Sequence, residues 1–265
     1  MPRRSPGRWR AETTWQKRYT ACRKPMDDHS KSHRYDAFGD QYARLGFTDT
    51  YYLGFREVPH LIDEYEMLPG IAIDHGCGGG RATRLLRQLG FTAIGIDRSE
   101  AMIAHALDAD PSGDYRLVPA GVLEGFSNQS VDLIFQSSVL EEYSSTESMV
   151  ETFKEFHRIL RPHGKVVIIT ASEELPRGEW ASFTYPERHL TPKSGEQVRC
   201  VVRNSEIVFS DYYWTDVDLR GVFEAGGFEV LRLHQPLAKG DEPYKWIDET
   251  TRPPWSVYLL RKRAV

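Results

Sequence analysis

The sequence predicts an α/β fold: a doubly wound, mostly parallel sheet of seven strands with an antiparallel terminal strand, N-terminal helices and an inserted strand pair. Three observations carry that expectation. Short, almost wholly apolar runs alternate with helical stretches between residues 71 and 170, as in a parallel sheet covered on both faces. Glycines crowd the turn between the first such run and the helix after it. The last two strand-like runs have no helix between them, which calls for an antiparallel pair.

Taken in order, "YDAFGDQYARL" and "YYLGFREVPHLIDEYEML" read as helices from Tyr35 to about Glu66, interrupted by Pro59 and closed by Pro69 and Gly70. Strands follow at "IAID" 71–74, "TAIGID" 92–97, "YRLVP" 115–119, "VDLIFQ" 131–136 and "KVVIIT" 165–170, with helices at 80–89, 99–107 and 145–160. Prolines and aromatics break the rhythm over 171–210, where "QVRCVVRN" and "EIVFSDYYW" form the inserted pair across one mouth of the sheet. A helix "TDVDLRGVFEAGG", a strand "FEVLRLHQ", a loop rich in Trp and Pro and a last strand "SVYLLRKR" complete the chain. The expected organisation is a basic, disordered leader over 1–33 and one domain over 34–265, with a helical cap at 34–68 and a substrate-side insertion at 171–214.

Charge and composition narrow the partners. Residues 1–26 hold eight of the 34 Lys/Arg and one of the 38 Asp/Glu, which leaves 26 basic and 37 acidic residues and a body charge of −11. Such a body argues against nucleic acid, since neutralising phosphates needs a basic surface. The leader reads as a solvated tail. No apolar run approaches the length of a membrane span. Cys22, Cys77 and Cys200 form neither a disulfide framework nor a zinc clip, and no His motif suggests a metal, so a metal-free protein of the reducing cytoplasm is expected.

The stretch "AIDHGCGGGRATRLL" carries the chemistry. Gly76, Gly78 and Gly80 let the backbone turn sharply and come close to a ligand. The spacing is neither Gly-x-Gly-x-x-Gly nor a phosphate loop, because Arg81 and Thr83 fall where glycine would be needed and no Gly-Lys-Ser/Thr follows. Asp74, just before the bend, would repel a pyrophosphate and suits a cation. Asp97, closing the second strand, suits the hydroxyls of a ribose. A nucleoside with a cationic amino-acid tail is S-adenosylmethionine. Alternatively, Asp74 caps the next helix and Asp97 forms a turn with Arg98 and Ser99.

With "GIDRSEAMI", "SVDLIFQSSVLEEY" and "EFHRILRPHGKVVIIT" in the same order, the chain resembles the class I S-adenosylmethionine-dependent methyltransferases, in their small-molecule, type 11-like branch, over about residues 35–170. The resemblance implies a Rossmann-like sheet. It implies that Asp74 and the Gly76–Gly80 turn, Cys77 included, hold the methionine part, Asp97 the ribose, and Arg98 and Met102 the adenine. In the loop after the third strand the family often has an acid, where this chain offers Ala120, Gly121 and Val122, whose backbone would serve; Gln136 ends the fourth strand on the same side.

Methyl transfer from a sulfonium is an in-line displacement, so the protein mainly supplies alignment and a dry cavity. At the end of the fourth strand, related families often show Glu-His; this chain has Glu141, Glu142 and Tyr143. Glu142 or Tyr143 is expected to contact the acceptor, unless the acids merely cap the next helix. His189 is a further candidate base. Trp180, Phe183, Tyr185, Tyr212, Tyr213 and Trp214, with Tyr244, Trp246 and Trp255, either line an acceptor pocket or pack added strands or a homodimer interface. The expected activity is methylation of a small metabolite or natural product at oxygen or nitrogen, against a sensor without turnover or another transferase using the same cofactor.

Overall fold

The computed structural model describes residues 46–119, 121, 123–205 and 207–263. Expectations for the leader, for the cap before residue 46, and for Cys22, Ala120 and Val122 lie outside the described residues. Two short helices, α1 (Thr50–Phe55) and α2 (Glu57–Glu64), precede the sheet. Pro59 does not interrupt the helical run as expected. The break is at Arg56, and Pro59 sits in the first turn of α2, where a backbone N–H has no intrahelical acceptor to lose.

Then β1 (Ile71–His75), α3 (Arg81–Gln88), β2 (Thr92–Asp97), α4 (Glu100–Ala109), β3 (Asp114–Leu117), β4 (Val131–Ser137), α5 (Thr146–Ile159) and β5 (Leu160–Ala171) alternate as the sequence predicts. After an inserted region come α6 (Asp216–Ala225), β9 (Phe228–His234) and β10 (Trp255–Lys262). The seven strands lie in the order β3-β2-β1-β4-β5-β10-β9. Strands β1 to β5 are mutually parallel, and β10 runs antiparallel to both β5 and β9. The antiparallel strand is therefore last in the chain but not at the sheet edge.

Period-two alternation explains why these strands read as unbroken apolar runs. Ala72, Leu133, Phe135, Val167, Ile169, Val257 and Leu259 face one core with α1, α2 and α3. Their neighbours Ile73, Ile134, Val166, Ile168, Tyr258 and Leu260 face a second core with α5 and α6. Both faces are covered, so the strand interiors are mostly apolar, and the buried polar residues Asp74, His75, Gln136 and Thr170 gather toward the carboxyl ends of their strands. Among the described residues no helix is long and apolar enough to cross a membrane.

The insertion holds three strands rather than the expected pair. β6 (Phe183–Thr184), β7 (Gln197–Val202) and β8 (Val208–Tyr212) form a separate antiparallel sheet, and β6 is two residues long, too short to leave a periodic signal. A buried polar clasp ties this region to α1. Thr50 Oγ1 donates to Glu249 Oε1 at 2.7 Å and accepts from Ser182 N–H at 3.0 Å. Glu249 Oε1 also accepts from Ala181 N–H at 2.6 Å and Oε2 from Ile247 N–H at 2.8 Å, while Trp255 Nε1 donates to Thr50 O at 2.7 Å. Thr50 and Glu249 are both wholly buried. Thr50→Val, isosteric but lacking the hydroxyl, strands a carboxylate lone pair and an N–H; urea unfolding should show a loss of about 1–3 kcal/mol.

Candidate functional site

The glycine turn is built at the carboxyl ends of β1 and β2. Gly76 N–H and Cys77 N–H both donate to Ile96 O, at 2.8 and 3.0 Å, which ties the exit of β1 to the end of β2. Gly78 N–H then donates to Asp97 Oδ2 at 2.8 Å, and Gly80 N–H to Cys77 O at 2.9 Å. Gly76, Gly78 and Gly80 have φ of +72°, +50° and +78°, in the left-handed region that glycine enters without strain. Space is short as well: a Cβ on Gly80 would lie 2.6 Å from the Tyr115 ring, and one on Gly76 2.4 Å from Val139.

Asp74, on β1, is 1% exposed. Its Oδ2 accepts from Thr83 Oγ1 on α3 at 2.6 Å. Burial pushes its carboxyl up to about 7, with the nearby charge of Asp97 adding to the rise. Asp97 spans the next turn: Oδ1 accepts from Ser99 N–H at 2.9 Å and Oδ2 from Gly78 N–H, and its carboxyl is also raised by burial. Ser99 Oγ caps α4 by accepting from Met102 N–H at 3.3 Å, and the Met102 side chain is buried. The sequence left open whether Asp97 builds a turn or faces a ligand. It builds the turn and, partly exposed, stands at its rim.

Gln136 and His75 are register partners on β4 and β1. Gln136 Nε2 lies 2.9 Å from His75 Nδ1, and Gln136 Oε1 is buried with no hydrogen-bond partner among the described residues. Burial first, then the charge of Arg98, lowers His75 to about 4, so it is neutral. Gly121 has φ +72°, and a Cβ on it would lie 3.7 Å from Thr152 Oγ1, to which the Tyr143 hydroxyl donates at 3.0 Å.

Beside the turn, under the inserted sheet, lies a partly open cavity. Tyr51 of α1, Phe183 of β6, Tyr185 and Trp255 give it aromatic walls, and Glu141 and Asp211 give it carboxylates. Glu142 also lines it, with Oε2 3.5 Å from Arg98 Nη2. Tyr143 is directed to Thr152 and is not among the lining residues; His189 is on an exposed turn outside it. Of the aromatics read from the sequence, Phe183, Tyr185 and Trp255 come together here, whereas Trp180 is wholly buried with Nε1 donating to Leu175 O at 2.7 Å. Tyr51 and Asp211 were not singled out by the sequence; each sits in an element whose pattern reads simply as helix or strand.

Comparison with known proteins agrees with this geometry. The family description "Methyltransferase domain" matches residues 73–168. A ubiquinone biosynthesis O-methyltransferase of Agrobacterium fabrum is 29% identical over 51% of this chain and 54% of its own length. A malonyl-[acyl-carrier protein] O-methyltransferase of Coxiella burnetii is 31% identical over 49% of this chain and 44% of its own. The chain thus spans about half the length of these curated relatives. In fold, it is similar to an S-adenosylmethionine-dependent methyltransferase from Clostridium acetobutylicum, with TM-score 0.58 and 15% identity over 89% of this chain and 98% of that one. The CcbJ methyltransferase from Streptomyces caelestis gives TM-score 0.59 and 16% identity over 86% and 96%. Sheet order, glycine turn and matched region agree: residues 73–168 of this chain match a methyltransferase domain, set in a fold similar to that of S-adenosylmethionine-dependent methyltransferases.

Proposed function

We propose that the protein transfers a methyl group from S-adenosylmethionine to nitrogen or oxygen of a small-molecule acceptor, as a cytoplasmic enzyme whose residues 34–265 act as one domain. One observation carries the reading. Asp74 is a carboxylate buried at a bend free of side chains, with one hydroxyl as its hydrogen-bonding side-chain partner, and it gains most from a ligand cation. The surrounding donors suit the rest of the nucleoside. Asp97 at the rim would receive ribose hydroxyls, the bend from Gly76 to Gly80 would lie along the amino-acid tail, and Arg98, Met102 and the loop containing Gly121 would flank the base. Gln136 Oε1, buried without a partner, supplies a further acceptor at the same edge.

When bound, the cofactor supplies an electrophilic methyl on a positively charged sulfur. This chain's residues then have to hold two reactants in line and keep water out, for which the roofed cavity beside the turn is suited. Glu142, on that cavity wall, would contact the acceptor. Tyr143 would act through Thr152 and the turn, and an exposed His189 would serve only at the cavity's outer approach.

Two outcomes follow. Asp97→Asn should weaken binding of S-adenosylmethionine and of its demethylated product at least tenfold by titration calorimetry, about 1.4 kcal/mol. Asp74 gives a pH signature. Its native carboxyl holds a proton up to about 7, while the unfolded chain releases it near 3.8. The native state therefore binds more protons between those values, and the ligand-free protein should lose stability as pH rises from about 4 to 7, by something on the order of 4 kcal/mol. A cationic ligand needs the ionised form, so its affinity should fall as pH drops below about 7. Asp74→Asn, which keeps an acceptor for Thr83, should flatten both profiles, read by urea unfolding and calorimetry at several pH values.

A further inference from the structure

We infer that the acceptor is a basic amine, held in the aromatic cavity by the carboxylate of Glu141, so that nitrogen is the atom methylated. This rests on the methyl-transfer reading above and adds to it the class of acceptor and the residue that selects it. Glu141 is 8% exposed and lines the cavity. Its Oε1 is anchored where β5 ends, accepting from Thr170 Oγ1 at 2.8 Å and from Ala171 N–H. Its Oε2 is shielded from solvent and has no hydrogen-bond partner among the described residues. A buried carboxylate oxygen without a donor is costly, and a cationic N–H donor placed against it recovers most of that cost.

The rest of the wall selects a cation. Glu142 and Asp211 add two more carboxylates, and no Lys, Arg or His is among the lining residues. Arg81 already lies over the Tyr51 ring, 4.8 Å from its centroid. Tyr185 lines the cavity beside Phe183 and Trp255, which pack on each other edge-on, and aromatic rings attract cations. A phenolate or carboxylate acceptor would meet the unpartnered Glu141 Oε2, whereas Arg98, a cation beside this wall, already lies against Glu142. The curated relatives cited above are named for transfer to oxygen, so the acceptor atom inferred here differs from theirs.

The proton and electron balance is simple. The ammonium gives one proton to Glu141 Oε2, which frees the nitrogen lone pair. That pair forms the new N–C bond as the methyl's C–S bond breaks and its electrons pass to sulfur, leaving a neutral thioether and a methylated ammonium. Glu141 returns its proton to solvent as the product leaves.

The test uses the full chain and three probes of matched shape: phenethylamine, 2-phenylethanol and phenylacetate. Mass spectrometry should show a methyl added to the amine and not to the alcohol or the acid. Phenethyltrimethylammonium, which cannot be methylated, should compete with the amine. Glu141→Gln keeps an acceptor for Thr170 and Ala171 and should lower kcat/KM for the amine at least tenfold. Calorimetric affinity for S-adenosylmethionine should be unchanged, and the thermal midpoint should not fall. Methylation of the alcohol or acid at or above the rate of the amine, no methylation of the amine by cofactor-binding protein, or a fully active Glu141→Gln variant each overturns the amine assignment. A chain that binds no S-adenosylmethionine overturns instead the methyl-transfer reading beneath it.

Discussion

Two backbone N–H groups, of Gly76 and Cys77, converge on the carbonyl of Ile96, and the site is arranged around that junction. It forces the chain leaving β1 to bend over the end of β2, which brings Asp74 and Asp97 near enough for each charge to bear on the other. The bend requires positive φ at three glycines, and an added side chain at Gly76 or Gly80 would strike Val139 or Tyr115. Geometry and electrostatics are thus fixed by one constraint. Relaxing it would both open the turn and separate the carboxylates.

The same junction reaches the cavity by three contacts. Val139, against Gly76, opens the 138–142 segment that carries Glu141 and Glu142. Arg98, next after Asp97, pairs with Glu142. Arg81, the first residue of α3, lies over the rings of Phe47, Tyr51 and Phe55 and so fastens α1 to the turn. Tyr51 in turn stacks on Trp255 at 5.8 Å and meets Phe183 edge-on at 5.1 Å, so the aromatic wall is continuous from the cap to the inserted sheet. Shifts in the turn and in the cavity wall are mechanically linked, because packed side chains transmit displacement rather than absorb it.

What was legible in the sequence is what local pattern determines. Strand runs such as "TAIGID" match the structure to the residue, because burial on both faces leaves an all-apolar signature that no helix of that length shares. The glycine spacing marked the tight turn after β1, since only backbone geometry demands that composition. The different surroundings of Glu141 and Glu142 were not legible. They depend on Thr170 and Ala171, some thirty residues away, which claim one oxygen of Glu141 and bury the other. Tyr143 is drawn toward Thr152 by a contact across nine residues and two elements, again invisible to periodicity. β6 escaped notice because two residues cannot show an alternation, and α2 was misplaced because Pro59 was weighed as a breaker although the first helical turn tolerates it.

Asp74 and Glu141 share a physical character that a folding argument alone does not explain. Each is a carboxylate taken out of water, and burial raises the carboxyl of each. Each has hydroxyl or amide donors and no ion pair among the described residues. A structural role would favour an apolar replacement of similar volume, since buried charge without a counter-charge lowers stability. Their placement at the carboxyl edge of the parallel sheet, one at the bend and one in the cavity beside it, makes sense if the missing positive charge arrives with ligands. On that view the ligand-free protein holds two sites of stored electrostatic cost, and binding at each relieves it. Marginal stability at this edge is then the physical counterpart of selectivity for cations.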